Sequence, residues 1–275
     1  MIRKIGLHIC GWGERPLPDL LIAARELGYD GVELAPTWLE KSYNLADVDE
    51  MLREHRVSTV PAVCAGGSNY CDPKAIPDAV EMAKNFCQWI KQRGGQNVIF
   101  FPAAGRGGRR TPDEERNVYR AYEAIADAVL SEGCMPLYHN HYRVSHDVSR
   151  QILESDLENM DWKKWRLCFD TGHLVLALQD PVAMFRDWAE VVKWVHFKDV
   201  RTARFSDTSA PNPSVQKFFT ELGRGVVDFP RIVEILGKAN YTGWFVVEQD
   251  YSDLTPYESA RISLEYLRTI MEDER

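Results

Sequence analysis

Leu167-Cys168-Phe169-Asp170-Thr171-Gly172-His173 is a short apolar run that ends in a carboxylate, a glycine and an imidazole. A strand buried on both faces reads as a continuous hydrophobic run, and polar residues at its C-terminal end fall on the rim of a parallel sheet. The design recurs at Met135-Pro136-Leu137-Tyr138-His139-Asn140-His141, at Val192-Lys193-Trp194-Val195-His196-Phe197-Lys198-Asp199 and at Trp244-Phe245-Val246-Val247-Glu248-Gln249-Asp250. Polar tips from four separate segments converge only if the strands lie side by side and point the same way. A parallel barrel meets that condition.

Outward from these four segments, the chain alternates short apolar runs with longer periodic ones. Residues 5–9, 31–35, 57–63 and 97–101 supply four further strands. The 3.6-residue pattern predicts helices near 18–28, 45–55, 77–93, 111–132, 148–159, 181–191, 229–239 and 257–271. Thr111-Pro112-Asp113-Glu114 combines an N-cap, a proline at the first helical position and an acid placed for a capping box. Eight strand-helix pairs joined by right-handed crossovers close without an edge, which predicts an α/β fold, a single-domain (β/α)8 barrel over 1–275. A doubly wound open sheet would want G-x-G-x-x-G after the first strand, and Cys10-Gly11-Trp12-Gly13-Glu14-Arg15 does not match it. The segment 200–227 reads as a long loop.

Composition narrows the function classes. With 275 residues, 45% of them hydrophobic, the chain has material for one sizeable core. A formal net charge of -8 opposes binding along a phosphate backbone, so nucleic acid is not expected as a partner. No apolar run approaches the roughly 20 residues of a membrane span, and Met1-Ile2-Arg3-Lys4-Ile5-Gly6 runs into a strand pattern rather than a signal peptide. The expectation is a cytoplasmic protein with no membrane partner. Its six cysteines form no C-x-x-C pair and read as reduced, partly buried thiols.

The chemistry-bearing residues lie where the strands end. His139, Asp170, His196 and Glu248 bring two imidazoles and two carboxylates to one point, a mixed set suited to one divalent ion such as Mn, Co, Zn or Fe. A lone strand-end acid is more often a helix N-cap and a lone His a hydrogen-bonded structural group, but four in four successive units favour a metal site.

Phe169-Asp170-Thr171-Gly172-His173, His196-Phe197-Lys198-Asp199-Val200-Arg201, Leu222-Gly223-Arg224-Gly225-Val226-Val227-Asp228-Phe229 and Gly243-Trp244-Phe245-Val246-Val247-Glu248 resemble the xylose-isomerase-like superfamily of TIM barrels. That superfamily holds sugar isomerases, epimerases and inosose dehydratases. Gly28-Tyr29-Asp30-Gly31-Val32-Glu33-Leu34 fits its second strand, so the resemblance spans nearly the whole chain. It implies a divalent metal held by Asp170, His196 and Glu248, with a fourth ligand from strand five. Isomerases and epimerases of the family usually carry Glu at that fourth position, where this chain has His139. Tyr138-His139-Asn140-His141 is more similar to the Tyr-His-His-His run of the 2-keto-myo-inositol (inosose) dehydratases. The match departs at Asn140, and at Arg143-Val144-Ser145 in place of a Met-Gly-Thr-like turn.

Dehydrating a hydroxyketone requires removal of a proton alpha to the carbonyl, stabilisation of the resulting charge and protonation of the departing hydroxyl. A metal serves the second task, and imidazoles titrate in the right range for the others. His141, His173 and Glu248 are therefore the expected catalytic residues, while His173, Lys198 and Arg201 are expected to hold substrate oxygens. Glu33 reads either as a group orienting the ligands or as a plain salt bridge. The expected substrate is a small keto-polyol or sugar. A keto-sugar isomerase or epimerase is the alternative; a DNA-repair endonuclease is disfavoured by the acidic surface and by the lack of His at the ends of strands three and four. A non-catalytic subunit that keeps the barrel is a further reading.

Other loops carry blander expectations. Gly105-Arg106-Gly107-Gly108-Arg109-Arg110 reads as a flexible basic lid, with binding of an anionic substrate group as the alternative; it lacks the Lys-Ser/Thr ending of a nucleotide loop. Trp12 and Trp38 fall in loops on the active face, placed to stack on a ring or shut out water. The polar, proline-bearing stretch from Arg204 to Pro213 has two readings, a cover over the site or a contact in a homo-oligomer.

Overall fold

The structure, a computed structural model, describes residues 4–13, 16–67 and 69–272. Its strands in chain order are β1 (Ile5–His8), β2 (Gly31–Leu34), β3 (Thr59–Gly66), β4 (Asn97–Phe100), β5 (Met135–His139), β6 (Arg166–Asp170), β7 (Val192–Phe197), β8 (Asp199–Val200), β9 (Phe219–Thr220) and β10 (Phe245–Val247). All but β8 and β9 pair in parallel as one closed barrel in the order β1-β10-β7-β6-β5-β4-β3-β2. The expected (β/α)8 architecture is thus the observed one. Among the described residues no helix is long and apolar enough to cross a membrane.

The period of two along each strand explains where the functional groups end up. Ile99, Leu137, Cys168, Trp194 and Val246 belong to a small apolar cluster that also holds Val60 and Ala62 and is distinct from the larger core. Phe101, His139, Asp170, His196 and Glu248 each follow one of those residues by two positions, so each rises one layer toward the C-terminal mouth. The intervening Tyr138, Phe169, Val195, Phe197 and Val247 point the other way and are buried in the larger core. Register sets neighbouring tips level: Asp170 pairs with His196, and His139 with Cys168.

Local details depart from the sequence reading at the strand ends. Strand β3 runs to Gly66, whereas β5 stops at His139 and β7 at Phe197. A short helix, Thr171–Leu176, begins directly after β6 and shows no periodicity that six residues could reveal. The expected loop 200–227 is partly ordered, because β8 and β9 pair antiparallel across it. The capping box at Thr111 and Glu114 forms as expected.

The basic lid expected after β4 is not free to swing. Gly105 and Gly108 bridge to each other, and Arg110 is buried against Asp156 with Nη1–Oδ1 and Nη2–Oδ2 distances of 2.5 and 2.9 Å. Trp12 is buried and lines a small cavity with His8, Cys10 and Gln249, and nothing is described of the Trp38 side chain.

Candidate metal centre and active site

The β5, β6, β7 and β10 tips converge. One ligand atom each from His139, Asp170, His196 and Glu248 falls within 4.8 Å of all the others, and all four residues are buried. His139 Nε2 lies 3.0 Å from His196 Nδ1, which lies 2.5 Å from Glu248 Oε2. Asp170 Oδ2 is 3.8 Å from His139 Nε2.

Asp170 realises both roles its sequence position suggests. Its Oδ1 accepts the His173 backbone N–H at 2.7 Å, capping the helix Thr171–Leu176, while Oδ2 faces the cluster. Asn140 holds it from behind: its side chain donates to the Asp170 carbonyl and accepts from the Asp170 N–H, at 3.0 and 2.8 Å. The residue that differs from the dehydratase run therefore continues the β5–β6 ladder past the end of β5.

The outer contacts fix the imidazole of His196. Its Nε2 is 2.8 Å from Glu33 Oε1, and Glu33 Oε2 accepts from Trp194 Nε1 at 2.7 Å. His196 Nε2 and Glu33 Oε1 are not aligned as a hydrogen bond, and against the effect of burial Cys168, Glu33 and Glu248 hold the His196 pKa well above its ordinary value. Glu33 thus sits deep in the barrel behind His196 and not at the mouth.

The donor set fits a divalent ion on two grounds. Asp170 Oδ2 and Glu248 Oε2 are buried without an aligned hydrogen-bond donor, although the Lys198 and His196 nitrogens lie 3.2 and 2.5 Å away, so each keeps a lone pair that a divalent ion could use. Burial, followed by the neighbouring His196, holds the His139 pKa well below its ordinary value and so leaves the ring neutral with a lone pair for ligation. Burial raises the Asp170 carboxyl to about 6 against the pull of Lys198.

Lys198 stands beside the four donors. Its Nζ is 3.2 Å from Asp170 Oδ2, 3.1 Å from Glu248 Oε1 and 2.8 Å from Asp250 Oδ2. Burial alone would depress its pKa, yet Asp170, Asp250 and Glu248 hold it well above the usual lysine range, so the group stays an ammonium. Gly172 makes room for its stem: a Cβ there would lie 2.8 Å from Lys198 Cγ. Lys198 Nζ also approaches His173 Nε2 at 3.4 Å.

His141 and His173 face each other with ring centroids 4.3 Å apart. The His141 ring stacks on Phe101, and its Nδ1 is 2.8 Å from the Tyr142 carbonyl, which assigns the proton to Nδ1 and the lone pair to Nε2. Burial, then Arg143 and Lys198, lower its pKa to about 4. His173 is held well below its ordinary value by burial, Lys198 and His141.

Arg201, expected at the substrate, is not brought into this set. It is 41% exposed, with Nη2 2.6 Å from Asp253 Oδ2 and Nε donating to the Phe219 carbonyl. Four participants escaped the sequence reading. Asp250 pairs with Lys198; Cys10 donates its S–H toward Glu248 Oε1 at 3.5 Å; Arg143 stands by His141; and Asp199 accepts from the backbone N–H groups of Val200, Gly223, Gly225 and Val227. The close Gly225 approach to Asp199, where a Cβ would meet Oδ1 at 2.2 Å, was the available signal in Gly223-Arg224-Gly225.

A family model described as "Xylose isomerase-like TIM barrel" matches residues 21–270. The chain belongs to this family. Among xylose isomerase-like relatives, the inosose dehydratase of Lacticaseibacillus casei is 32% identical over 168 residues, covering 58% of this chain and 56% of that protein. The chain thus spans little more than half the length of that relative. The inosose dehydratase of Mesomycoplasma hyopneumoniae (strain 7448) is 25% identical over 98% of this chain and 96% of its own. Among solved structures, the IOLI protein with a bound zinc atom superposes with a TM-score of 0.72 at 14% identity, over 98% of both chains, a likeness of fold.

Proposed function

We propose that this xylose isomerase-like barrel is a metal-dependent lyase that removes water from a keto-polyol such as 2-keto-myo-inositol. The observation that carries the reading is the donor set itself, with the neutral His139 where a two-carboxylate proton shuttle would need an acid, and His141 and His173 beside it. The inosose dehydratases among its relatives support it. Bound at His139, Asp170, His196 and Glu248, a divalent ion would polarise the substrate carbonyl and stabilise the charge left when the adjacent proton departs.

The side chains supply the rest. His141 Nε2 takes the proton alpha to the carbonyl, its Nδ1–H held by the Tyr142 carbonyl. The resulting imidazolium returns that proton to the departing hydroxyl, so substrate becomes product plus water and His141 ends neutral. His173, whose Nε2 faces the Lys198 ammonium, presents Nδ1, a buried atom with no other partner, to orient that hydroxyl. Lys198, its stem fixed over Gly172, exchanges its Asp250 partner for a substrate oxygen.

Purified protein is expected to carry about one divalent ion per chain. Elemental analysis showing none, with no heat of binding for Mn, Co or Zn, would remove the metal centre.

His139→Glu separates this reading from keto-sugar isomerisation. The substitution keeps a ligand but adds a negative charge to the set, so metal should be retained while the barrier to water loss rises by about 2 to 4 kcal/mol. Wild type given 2-keto-myo-inositol should yield a conjugated product absorbing in the ultraviolet, one water lighter. A product of unchanged mass, formed faster by His139→Glu, would replace dehydration with isomerisation or epimerisation.

A further inference from the structure

We propose that the preferred substrate is a keto-polyol that also carries an anionic oxyacid group, a carboxylate or phosphate, with neutral 2-keto-myo-inositol the weaker-bound analogue, and that Arg143 is the residue that binds the anion. This deepens the dehydratase reading and rests on it for the identity of the reacting end. Arg143 leaves β5 four residues after His139 and is partly buried between the ends of β3, β4 and β5. Its Nε donates to the Pro102 carbonyl at 2.8 Å, and an Nη lies 3.1 Å from where a Gly67 Cβ would be. These contacts place the guanidinium on the Phe101 side of the mouth, beside His141, whose ring stacks on Phe101.

Among the described residues no carboxylate pairs with Arg143, and its Nη groups have no hydrogen-bond acceptor. The contrast with the other cations of the upper barrel is sharp. Lys198 has three carboxylates and Arg110 a bidentate one in Asp156. A guanidinium stays protonated even when burial opposes it, and a half-desolvated cation without a counter-ion is costly. Two free Nη groups in a planar fork match the two oxygens of a carboxylate or phosphate.

The backbone at this point is also held against its preference. Val144, directly after Arg143, has φ 54°, a left-handed conformation that a β-branched residue rarely adopts. Ser149 clamps the same turn: its Oγ accepts from the Arg143 N–H at 2.8 Å and lies 2.9 and 2.7 Å from the Arg143 and Ser145 carbonyls, either of which can take its proton. The turn is therefore built to aim Arg143. A neutral keto-polyol offers that guanidinium only hydroxyls, whereas an acid on the ring completes it.

The test compares unreactive ligands first. Calorimetry on metal-loaded wild type and R143Q would use myo-inositol, quinate, which adds a carboxylate, and myo-inositol 1-phosphate. Wild type should bind at least one of the two anions about tenfold or more tighter than myo-inositol, and R143Q should lose that advantage. R143K should recover part of it, since it keeps charge without the fork. Whichever anion shows the preference names the source. Anions bound no tighter than myo-inositol, or equal losses on all three ligands in R143Q, would overturn the proposal. The dehydration reading is judged separately by mass on 2-keto-myo-inositol and on 3-dehydroquinate. If neither loses water while the Arg143-dependent anion preference persists, the reaction assignment fails and the anion site stands.

Discussion

Glu248→Gln should cost turnover about 10²- to 10³-fold and lower metal affinity in parallel, with the fold intact. The substitution leaves volume almost unchanged but removes the charge that meets His196 Nδ1 at 2.5 Å through Oε2 and Lys198 Nζ at 3.1 Å through Oε1. Burial would push this carboxyl up, yet Lys198, His8 and His196 hold it well below the usual carboxylate range, so the native group is an anion. Gln offers a neutral oxygen in its place, a poorer donor to a cation. Metal titration and steady-state rates on the same preparation read both effects. A variant with native metal content and native rate would take Glu248 out of the ligand set.

Asp156→Ala should destabilise the fold by about 3 to 5 kcal/mol. Asp156 is fully buried and joins Arg110, also buried, to two tyrosines, with Tyr138 donating at 2.8 Å and Tyr122 at 3.4 Å. Truncation strands a guanidinium and two hydroxyls where water does not reach them, and the loss of the partner costs more than the pair contributes. For a chain of 275 residues the melting temperature should fall by on the order of 10 °C. Replacing Arg110 and Asp156 together with apolar residues of similar volume should restore much of the loss. A loss under about 1 kcal/mol for Asp156→Ala alone would mean that the network relaxes around the gap.

The barrel and the four converging donors were legible because each hydrophobic run stops at a polar residue, a pattern one strand long. Contacts between distant segments were not. Arg143 looked like a turn residue, since only the structure shows that it lacks a carboxylate. Arg201 has the same side-chain chemistry and lies two positions after Asp199, but Asp253 and the Phe219 carbonyl claim it. The basic run after β4 reads as mobile in sequence because its anchor, Asp156, lies 46 positions away. Asp199 reads as a continuation of His-Phe-Lys-Asp, yet its carboxylate organises backbone amides as far on as Val227. The helix Thr171–Leu176 owes its start to a group that sequence reasoning assigned to a metal.

The two-residue step from the apolar layer to the donor layer has a consequence for how such a chain can change over generations. Leu137, Cys168, Trp194 and Val246 close the barrel below, and His139, Asp170, His196 and Glu248 stand one rung above them on the same strands. Selection can exchange an upper rung, an acid for an imidazole at position 139 for example, without repacking the lower one. The scaffold's heritable constraint and its chemical repertoire are therefore written at alternate positions of the same short strands, and a lineage can explore new reactions while each intermediate still folds.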